Sequence, residues 1–274
     1  MIDTYDWRKM KTGIILPTFL DDPEIAFQTA VDAEESGLDG VFVYDHMWPM
    51  GHPEKPALAA SVILASLTQM TTTIKLGTLV SRVGLIPDNL LFSEMITLNR
   101  LCQDRLIAGM GTGDKKSADE NLFLHIKQPS PRERQHSLTS IASRLSSVGV
   151  EVWIGAGLDS TNKIAVQIPA KLNFWNVDEE TLREKIQSYL FPPKSYLPDS
   201  GIRSETTLGI SSDDNAENFT WAGPLLESAE EMTGFYGKLV EMNLAWAVFA
   251  VPYHNCNSLR ESISLLSNLR HSYP

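Results

Sequence analysis

Short apolar stretches alternate with amphipathic ones along the whole chain. Several apolar stretches are nearly continuous, such as Ile14-Ile15-Leu16 and Val41-Phe42-Val43, which is typical of parallel strands covered on both faces. The pattern predicts eight strands, which are Gly13–Phe19, Gly40–Asp45, Ile74–Val80, Arg105–Met110, Val150–Ile154, Ala170–Trp175, Thr206–Ile210 and Trp246–Pro252. The seventh has the weakest pattern, because the polar segment Ser195–Pro224 around it is predicted to be a loop.

Start signals for helices lie between the predicted strands. Asp22 followed by Pro23 is typical of an N-cap with proline at the first helical position. Ser130 and Glu133 have the spacing of a capping box. The same spacing recurs in two later pairs, Ser228 with Glu231 and Ser258 with Glu261. In the third predicted helix, the apolar spacing predicts one buried face, formed by Leu90, Leu91, Met95, Leu98 and Leu101.

The order of these elements predicts the fold class. Each of the eight predicted strands is followed by a helix, and strict alternation of this kind indicates an α/β fold with a parallel sheet. Eight such units in 274 residues favour a closed (β/α)8 TIM barrel, with an open doubly wound sheet as the alternative. No linker, repeat or low-complexity tract divides the chain, so residues 1–274 are predicted to form a single domain.

Composition and charge narrow the classes of function. The chain is 43% hydrophobic and 21% charged, which is ordinary for a globular protein. Its formal net charge of −11 repels phosphate backbones, so no nucleic-acid partner is expected. Cys102 and Cys256 are far apart, no apolar run reaches the roughly 18 residues that span a membrane, and Met1–Lys11 lacks a signal-peptide core. We therefore expect a cytoplasmic protein with no disulfide framework and no membrane partner.

The second predicted strand ends in residues that can carry out chemistry. Its apolar run is followed by Asp45, His46 and, after one residue, Trp48. Parallel α/β folds bind ligands beyond the carboxyl ends of their strands, so this end is a candidate site. An ordinary histidine has a pKa of about 6.5, so His46 could exchange a proton at neutral pH. Asp45 could orient a ligand or His46, and Trp48 could either stack on a ring or cover the end of the barrel.

Two glycine-rich turns follow other predicted strands. Gly109-x-Gly111-x-Gly113 lets the backbone approach a ligand closely, although a tight barrel turn explains the same glycines. Gly155-Ala156-Gly157 precedes a short predicted helix near Ser160, and the N–H groups of a helix N-terminus suit a phosphate. Asp114 could act as an acid, as a ligand to a cofactor hydroxyl or as a helix cap. The histidines have no metal-ligand spacing, so no metal is expected.

Taken together, these segments resemble the luciferase-like monooxygenase superfamily. The resemblance extends over nearly the whole chain and rests on Ala33–His46, Ile74–Val80, Leu98–Leu101, Arg105–Gly113 and Val152–Gly157. It implies a (β/α)8 barrel that binds a flavin or a deazaflavin at its C-terminal face. It also implies a bend after the third strand, often a non-proline cis peptide, which falls at Leu79-Val80.

Within that superfamily, Asp45-His46 followed by Trp48 is similar to enzymes that use the deazaflavin coenzyme F-420, whereas members that use flavin mononucleotide (FMN) more often have Glu-His there. Thr112-Gly113-Asp114 resembles the Thr-Gly-Glu of deazaflavin-dependent sugar-phosphate dehydrogenases, in which the carboxylate is an acid. The resemblance therefore implies catalytic roles for His46, Trp48 and Asp114. The implied cofactor contacts are Asp45, Leu79, Val80, Thr112, Gly113, Gly155, Ala156 and Gly157. The basic residues that hold a sugar phosphate have no clear match here, so that substrate is not carried over.

Three functions follow from the residues and the resemblance. The first is a deazaflavin-dependent oxidoreductase that transfers a hydride between C5 of coenzyme F-420 and a small organic substrate, with His46 exchanging the accompanying proton. The second is an FMN-dependent monooxygenase that uses reduced flavin and oxygen. The third is a flavin- or deazaflavin-binding protein without turnover. In each case the partner is a small molecule, and a homodimer is possible.

Overall fold

A computed structural model of the chain describes residues 10–49, 51–113, 117–156, 161, 164–165, 168–190, 218–226, 228–251, 253 and 255–273. The strands of this part are β1 Lys11–Ile15, β2 Gly40–Val43, β3 Lys75–Thr78, β4 Ser81–Arg82, β5 Leu106–Gly111, β6 Glu151–Ala156, β7 Ala170–Trp175, β8 Phe219–Pro224 and β9 Trp246–Ala250. Its helices are α1 Pro23–Glu35, α2 Ala60–Met70, α3 Asp88–Leu101, α4 Ala118–Phe123, α5 Pro131–Ser147, α6 Glu179–Leu190, α7 Ala229–Glu241 and α8 Cys256–Ser272. Among the described residues, no helix is both long enough and apolar enough to cross a membrane.

The strands form a closed parallel barrel. The order along the sheet is β3-β2-β1-β9-β8-β7-β6-β5-β4, and every pairing between neighbours is parallel. Pairing of β3 with β5, with Leu76 opposite Leu106, closes the ring. The short strand β4 continues the third barrel position and pairs Ser81 with Met110 of β5. The predicted (β/α)8 barrel is therefore confirmed.

The third barrel position is interrupted at a cis peptide bond. Leu79-Val80 lies between β3 and β4 and is cis, as the superfamily resemblance implies. Two glycines of β5 leave room for this interruption. A Cβ atom on Gly109 would lie 2.0 Å from the carbonyl oxygen of Thr78, and one on Gly111 would lie 2.6 Å from Cγ2 of Val80. Close packing between strands therefore explains the glycines at 109 and 111. This agrees with the alternative of a tight barrel turn and not with a close approach of the backbone to a ligand.

The inside of the barrel is filled by aromatic side chains. Phe42, Trp153 and Trp246 pack against one another with ring centroids 5.2–5.9 Å apart. Glycines make space for Phe42, because a Cβ atom on Gly13 or Gly77 would lie within 3.0 Å of its ring. Together with smaller apolar residues they form one buried cluster. A barrel packed in this way has no room for a ligand along its axis, which makes the ends of the strands the candidate binding face.

The seventh barrel strand differs from the one predicted. The predicted strand Thr206–Ile210 lies outside the described residues, and β8 instead spans Phe219–Pro224, within the segment predicted to be a loop. β8 pairs with β7 and with β9, and its first five residues are buried. The pattern is misleading because only a short apolar run follows a long polar segment, and the run owes its burial to its two neighbouring strands.

Three of the four predicted helix starts are confirmed. Asp22 caps α1, Ser130 forms a reciprocal capping box at α5, and the hydroxyl of Ser228 accepts a hydrogen bond from the backbone of α7. The prediction at Ser258 is wrong, because α8 begins three residues earlier. Asn255 is its N-cap, and Oδ1 of Asn255 accepts a hydrogen bond from the N–H of Ser258 at 2.9 Å.

The predicted buried face of α3 is correct only in its centre. Leu91, Met95 and Leu98 are buried in the main core, whereas Leu90 and Leu101 at the helix ends are exposed. The apolar spacing repeats over a wider arc of the helix than the barrel covers. At 3.6 residues per turn, Leu90 and Leu101 lie about 80–100° around the helix from Leu91, so they point away from the buried face.

Candidate active site

A buried ionic network lies beyond the carboxyl end of β2. We call it the Arg82 network, and its members are Asp45, His46, Arg82 and Glu120. Nε of Arg82 donates hydrogen bonds to Oδ1 and Oδ2 of Asp45 at 3.1 and 3.0 Å, and its backbone N–H donates to Oδ2 at 2.6 Å. The Arg82 side chain is only 5% exposed. The pair joins the loop after β2 to the end of β4.

Glu120 of α4 connects Arg82 to His46. Its Oε2 lies 2.5 Å from Nη2 of Arg82, and its Oε1 lies 3.0 Å from Nδ1 of His46. The backbone N–H of Met47 also donates to Oε1, at 3.3 Å. The Glu120 side chain is 3% exposed and that of His46 is 18% exposed. The network thus extends from a buried carboxylate to a histidine that solvent can reach.

Burial and the neighbouring charges act in opposite directions on the two carboxyl groups. For Asp45, burial raises the pKa by more than the charge and hydrogen bonds of Arg82 lower it. For Glu120, burial also raises the pKa, but the hydrogen bond from His46 and the charge of Arg82 outweigh it, so the pKa is below its usual range. Glu120 is therefore a carboxylate at neutral pH and can only accept hydrogen bonds.

The structure gives two of the predicted site residues definite neighbours. Both carboxylate oxygens of Asp45 are hydrogen-bonded to Arg82, so its contact with a cofactor stays a prediction. Trp48 is buried and packs edge-on against Phe123 of α4, with ring centroids 5.3 Å apart. Trp48 thus holds the loop after β2 against α4, which is the covering role considered for it, and its catalytic role stays a prediction.

An aromatic cluster from three strand ends forms part of the barrel mouth. The rings of Phe19 and Tyr44 are stacked 5.6 Å apart, and Trp175 meets Tyr44 edge-on at 5.8 Å. Burial raises the pKa of Tyr44, so its hydroxyl stays protonated at neutral pH. Trp175 is 43% exposed, which is high for so large an apolar side chain. Sequence reasoning did not predict this cluster, although all three aromatic residues stand at or just after strand ends, where it could have been found.

The backbone carbonyl groups of Thr112 and Gly113 contact the guanidinium group of Arg134. Nη1 of Arg134 donates to the carbonyl oxygens of Thr112 at 2.8 Å and of Gly113 at 3.3 Å. Gly113 has a φ of +69°, a conformation that favours glycine. Among the described residues, buried Nε of Arg134 and Nη1 of Arg82 have no hydrogen-bond partner. Asp114, predicted to be catalytic, lies outside the described residues.

The predicted phosphate turn is only partly described. Gly155 and Ala156 are the last two residues of β6, while Gly157 and Ser160 lie outside the described residues. A Cβ atom on Gly155 would lie 3.6 Å from Cγ1 of Val80, so this strand end adjoins the cis peptide at the barrel mouth. Leu79 itself is buried in the barrel interior with Val80 packed beside it. These contacts bring three of the predicted cofactor residues to one end of the barrel.

A pocket of about 200 Å³ lies beside His46, between the loop after β2 and helices α2 and α3. Its wall is largely apolar and includes Leu58 and Met95, with Ser61 and Glu94 among its polar groups. Part of its lining comes from Leu91 and other residues of the core outside the barrel. Within the described residues, no group of three or more His, Cys, Asp or Glu side chains could hold a metal ion.

Sequence comparison supports the resemblance. Residues 10–136 match the family model described as luciferase-like monooxygenase. Over 135 residues, or 49% of this chain, the sequence is 32% identical to an F-420-dependent glucose-6-phosphate dehydrogenase from Kineococcus radiotolerans, and the match covers 39% of that protein. A protein of the same name from Nakamurella multipartita is 29% identical over 128 residues, which is 46% of this chain and 35% of that one. The matches span well under half of the length of these relatives. The family model confirms the predicted resemblance to the luciferase-like monooxygenase superfamily.

Comparison with solved structures supports the fold. An F-420-dependent secondary alcohol dehydrogenase in complex with an F-420–acetone adduct has a TM-score of 0.71, with 13% identity, over 95% of this chain and 98% of that one. The FMN-bound oxygenating constituent of 3,6-diketocamphane monooxygenase from Pseudomonas putida has a TM-score of 0.70, with 12% identity, over 94% and 96% of the two chains. At such identities, these likenesses concern the barrel alone.

Proposed function

We propose that this protein is an oxidoreductase that uses the deazaflavin coenzyme F-420 and transfers a hydride between its C5 and a small organic substrate. The observation that carries the proposal is the position of His46 at the carboxyl end of β2, with Nδ1 hydrogen-bonded to Glu120. Among the described residues, the other ring nitrogen, Nε2, makes no hydrogen bond. The choice of cofactor is supported by the two relatives named above, which are both F-420-dependent.

The flat ring system of the cofactor is proposed to lie at the barrel mouth. Val80, Tyr44 and Ala250 pack against the closed aromatic interior, and Trp175 adds an exposed aromatic edge. Such a surface is largely apolar and aromatic, which suits stacking against a polycyclic ring. A bound deazaflavin supplies a carbon that accepts or releases a hydride, and the chain supplies binding, orientation and proton transfer.

His46 has the properties of a proton-exchanging group. When an alcohol is oxidised, a hydride leaves its carbon and a proton leaves its hydroxyl. Nε2 of a neutral imidazole whose Nδ1 carries the hydrogen can accept that proton. The partial exposure of His46 gives a route for the proton to reach solvent afterwards. In the reverse direction the same nitrogen delivers a proton to the substrate oxygen.

The cofactor phosphate is proposed to lie at Gly155-Ala156-Gly157, because a glycine-rich turn can present backbone N–H groups to a phosphate without bulky side chains. The net charge of −11 means that an anionic cofactor needs local donors. Arg134 offers a second source of positive charge on this face, beside Thr112 and Gly113. Asp114 is proposed as a further acid, following the carboxylate of the Thr-Gly-Glu motif.

Cofactor titration tests the proposal directly. The purified protein is titrated with coenzyme F-420 and with FMN while cofactor fluorescence is followed, and turnover is then measured on a panel of small alcohols and enones. We expect tighter binding of F-420 and turnover of at least one substrate. Tighter binding of FMN with oxygen consumption would replace this proposal with a monooxygenase. Binding without turnover on any substrate would favour the non-catalytic function.

A further inference from the structure

We infer that Glu120 is a positioning residue that holds His46 in the tautomer with hydrogen on Nδ1 and leaves Nε2 to face the substrate proton. The inference rests on the proposed function, because that function gives His46 its proton-transfer role. It goes further by assigning a task to a residue that neither the strand ends nor the superfamily motifs point to.

The contact is specific and shielded from solvent. Oε1 of Glu120 lies 3.0 Å from Nδ1 of His46, although the two residues are separated by 74 positions in sequence. The same oxygen accepts the backbone N–H of Met47, which fixes the carboxylate relative to the loop that carries His46. With the Glu120 side chain 3% exposed, water cannot easily replace either contact.

The chemistry of the two groups determines the tautomer. An ionised carboxylate has no hydrogen to donate, so a hydrogen bond to it requires hydrogen on Nδ1. In a neutral imidazole, Nε2 is then the acceptor. Because the charge of Arg82 and the hydrogen bond from His46 lower the pKa of Glu120 against the effect of burial, the carboxylate persists at neutral pH.

Arg82 keeps Glu120 in place. The guanidinium contacts Glu120 through Nη2 and Asp45 through Nε, so one cation lies between two carboxylates. With both carboxylates ionised and His46 neutral, the four groups carry a net charge of −1, and protonation of His46 brings it to zero. Groups near His46 from the packed elements also include Tyr44, 6.3 Å away between ring centroids, and Glu94, which lines the same pocket. Arg82 therefore holds Glu120 where its Oε1 reaches Nδ1 of His46.

Nuclear magnetic resonance tests the tautomer without reference to activity. Long-range ¹H–¹⁵N spectra of protein labelled with ¹⁵N-histidine distinguish the two neutral tautomers, and a His46→Gln variant assigns the signals of His46. We expect hydrogen on Nδ1 in the unmodified protein when the imidazole ring is neutral. In Glu120→Gln, whose amide can also donate, we expect the population with hydrogen on Nε2 to rise. Hydrogen on Nε2 in the unmodified protein, or no change in Glu120→Gln, would overturn the inference.

Kinetics with coenzyme F-420 give a second readout. Glu120→Gln is expected to lower kcat by about 10²-fold, the lower range of general acid–base contributions, with little change in cofactor affinity. The pH dependence of kcat should also change, because the substitution removes a negative charge 3.0 Å from Nδ1 of His46. Glu120→Asp should restore part of kcat. Asp119→Asn is the matched control, since it removes an exposed charge from the same helix and should leave kcat unchanged.

The results distinguish a failure of the proposed function from a failure of the role inferred for Glu120. Absence of turnover in the unmodified protein with either cofactor would contradict the proposed function, while the tautomer measurement would still decide the role of Glu120. Turnover in the unmodified protein together with an unchanged pH profile and kcat in Glu120→Gln would contradict only the positioning role. The spectrum of the unmodified protein needs no variant, so a poorly folding Glu120→Gln does not prevent the test.

Discussion

The carboxylate of Asp45 is bound by two N–H groups of Arg82: the Nε–H is shared between both carboxylate oxygens, and the backbone N–H donates to Oδ2. Asp45 follows β2, and Arg82 is the last residue of β4, directly after the segment with the cis peptide. The pair therefore fixes the end of the second barrel strand to the end of the third. Since His46 is the next residue after Asp45, the same contact limits where His46 can lie.

Arg82→Met should destabilise the protein by about 3–5 kcal/mol, because it leaves the buried carboxylates of Asp45 and Glu120 without their cation. Urea unfolding at pH 7 measures the change. The matched control is Arg260→Met, which breaks the pair with Asp32 on the surface and should cost at most about 1 kcal/mol. Equal losses in the two variants would show that the Arg82 network contributes no more than a surface ion pair.

His46→Ala should lower turnover by about 10²–10⁴-fold while folding and cofactor binding stay largely intact. The reason is that the ring supplies a proton-exchanging nitrogen, while its side chain is still partly accessible to solvent. Steady-state kinetics, fluorescence titration and thermal melting are compared for the variant. His52→Ala is the control, since His52 is exposed and pairs only with Glu54 among the described residues. A variant that melts early but whose folded fraction turns over normally would make His46 structural.

Gly109→Ala should destabilise the barrel by about 1–3 kcal/mol, the usual cost of overpacking, because its Cβ would meet the carbonyl oxygen of Thr78 at 2.0 Å. Backbone cannot move aside as a flexible side chain can. Gly155→Ala, on the neighbouring strand, should cost much less, since its nearest contact would be 3.6 Å from Val80. Denaturant midpoints of the two variants give the comparison, and a larger loss for Gly155→Ala would contradict the packing argument.

Glu34→Gln should destabilise the protein by about 1 kcal/mol at pH 7 through weakened charge-assisted hydrogen bonds. Oε1 of Glu34 accepts from the backbone N–H groups of Thr72, Thr73 and Ile74 ahead of β3. Burial raises the pKa of Glu34, but these hydrogen bonds together lower it by more, so the pKa is below its usual value. The ionised Glu34 side chain therefore contributes its full stabilisation above the ordinary glutamate pKa of about 4.3. This stabilisation is lost as the pH falls through the lower pKa that Glu34 has in the folded protein.

Unfolding measured from pH 7 to pH 3 tests this dependence. The stability difference between the unmodified protein and Glu34→Gln should shrink as the pH drops below about 4.3. Glu35→Gln serves as the control, because Glu35 is exposed and adjacent in the same helix. A difference that does not change with pH would mean that the charge of Glu34 is unimportant.

Much of the fold and part of the site follow from local patterns. Apolar runs such as Val41-Phe42-Val43 identify seven of the eight barrel positions, because a strand covered on both faces needs apolar residues throughout. The position of His46 beyond β2 follows from the same run, since chemistry in parallel barrels lies at the carboxyl ends of strands. The segment Phe219–Pro224 escapes this reasoning, because its strand character depends on β7 and β9 on either side.

By itself, the sequence determined the parallel barrel, the strand end that carries His46 and, through resemblance, the position of the cis peptide at Leu79-Val80. Only the tertiary structure decided the partners of these residues. Arg82 lies 37 positions from Asp45, and Glu120 lies 74 positions from His46. Local patterns show which face of an element is buried, but they do not show which distant side chain contacts that face. That choice depends on the register of the closed barrel and on where α4 packs, so the ionic network becomes visible only when the chain is folded.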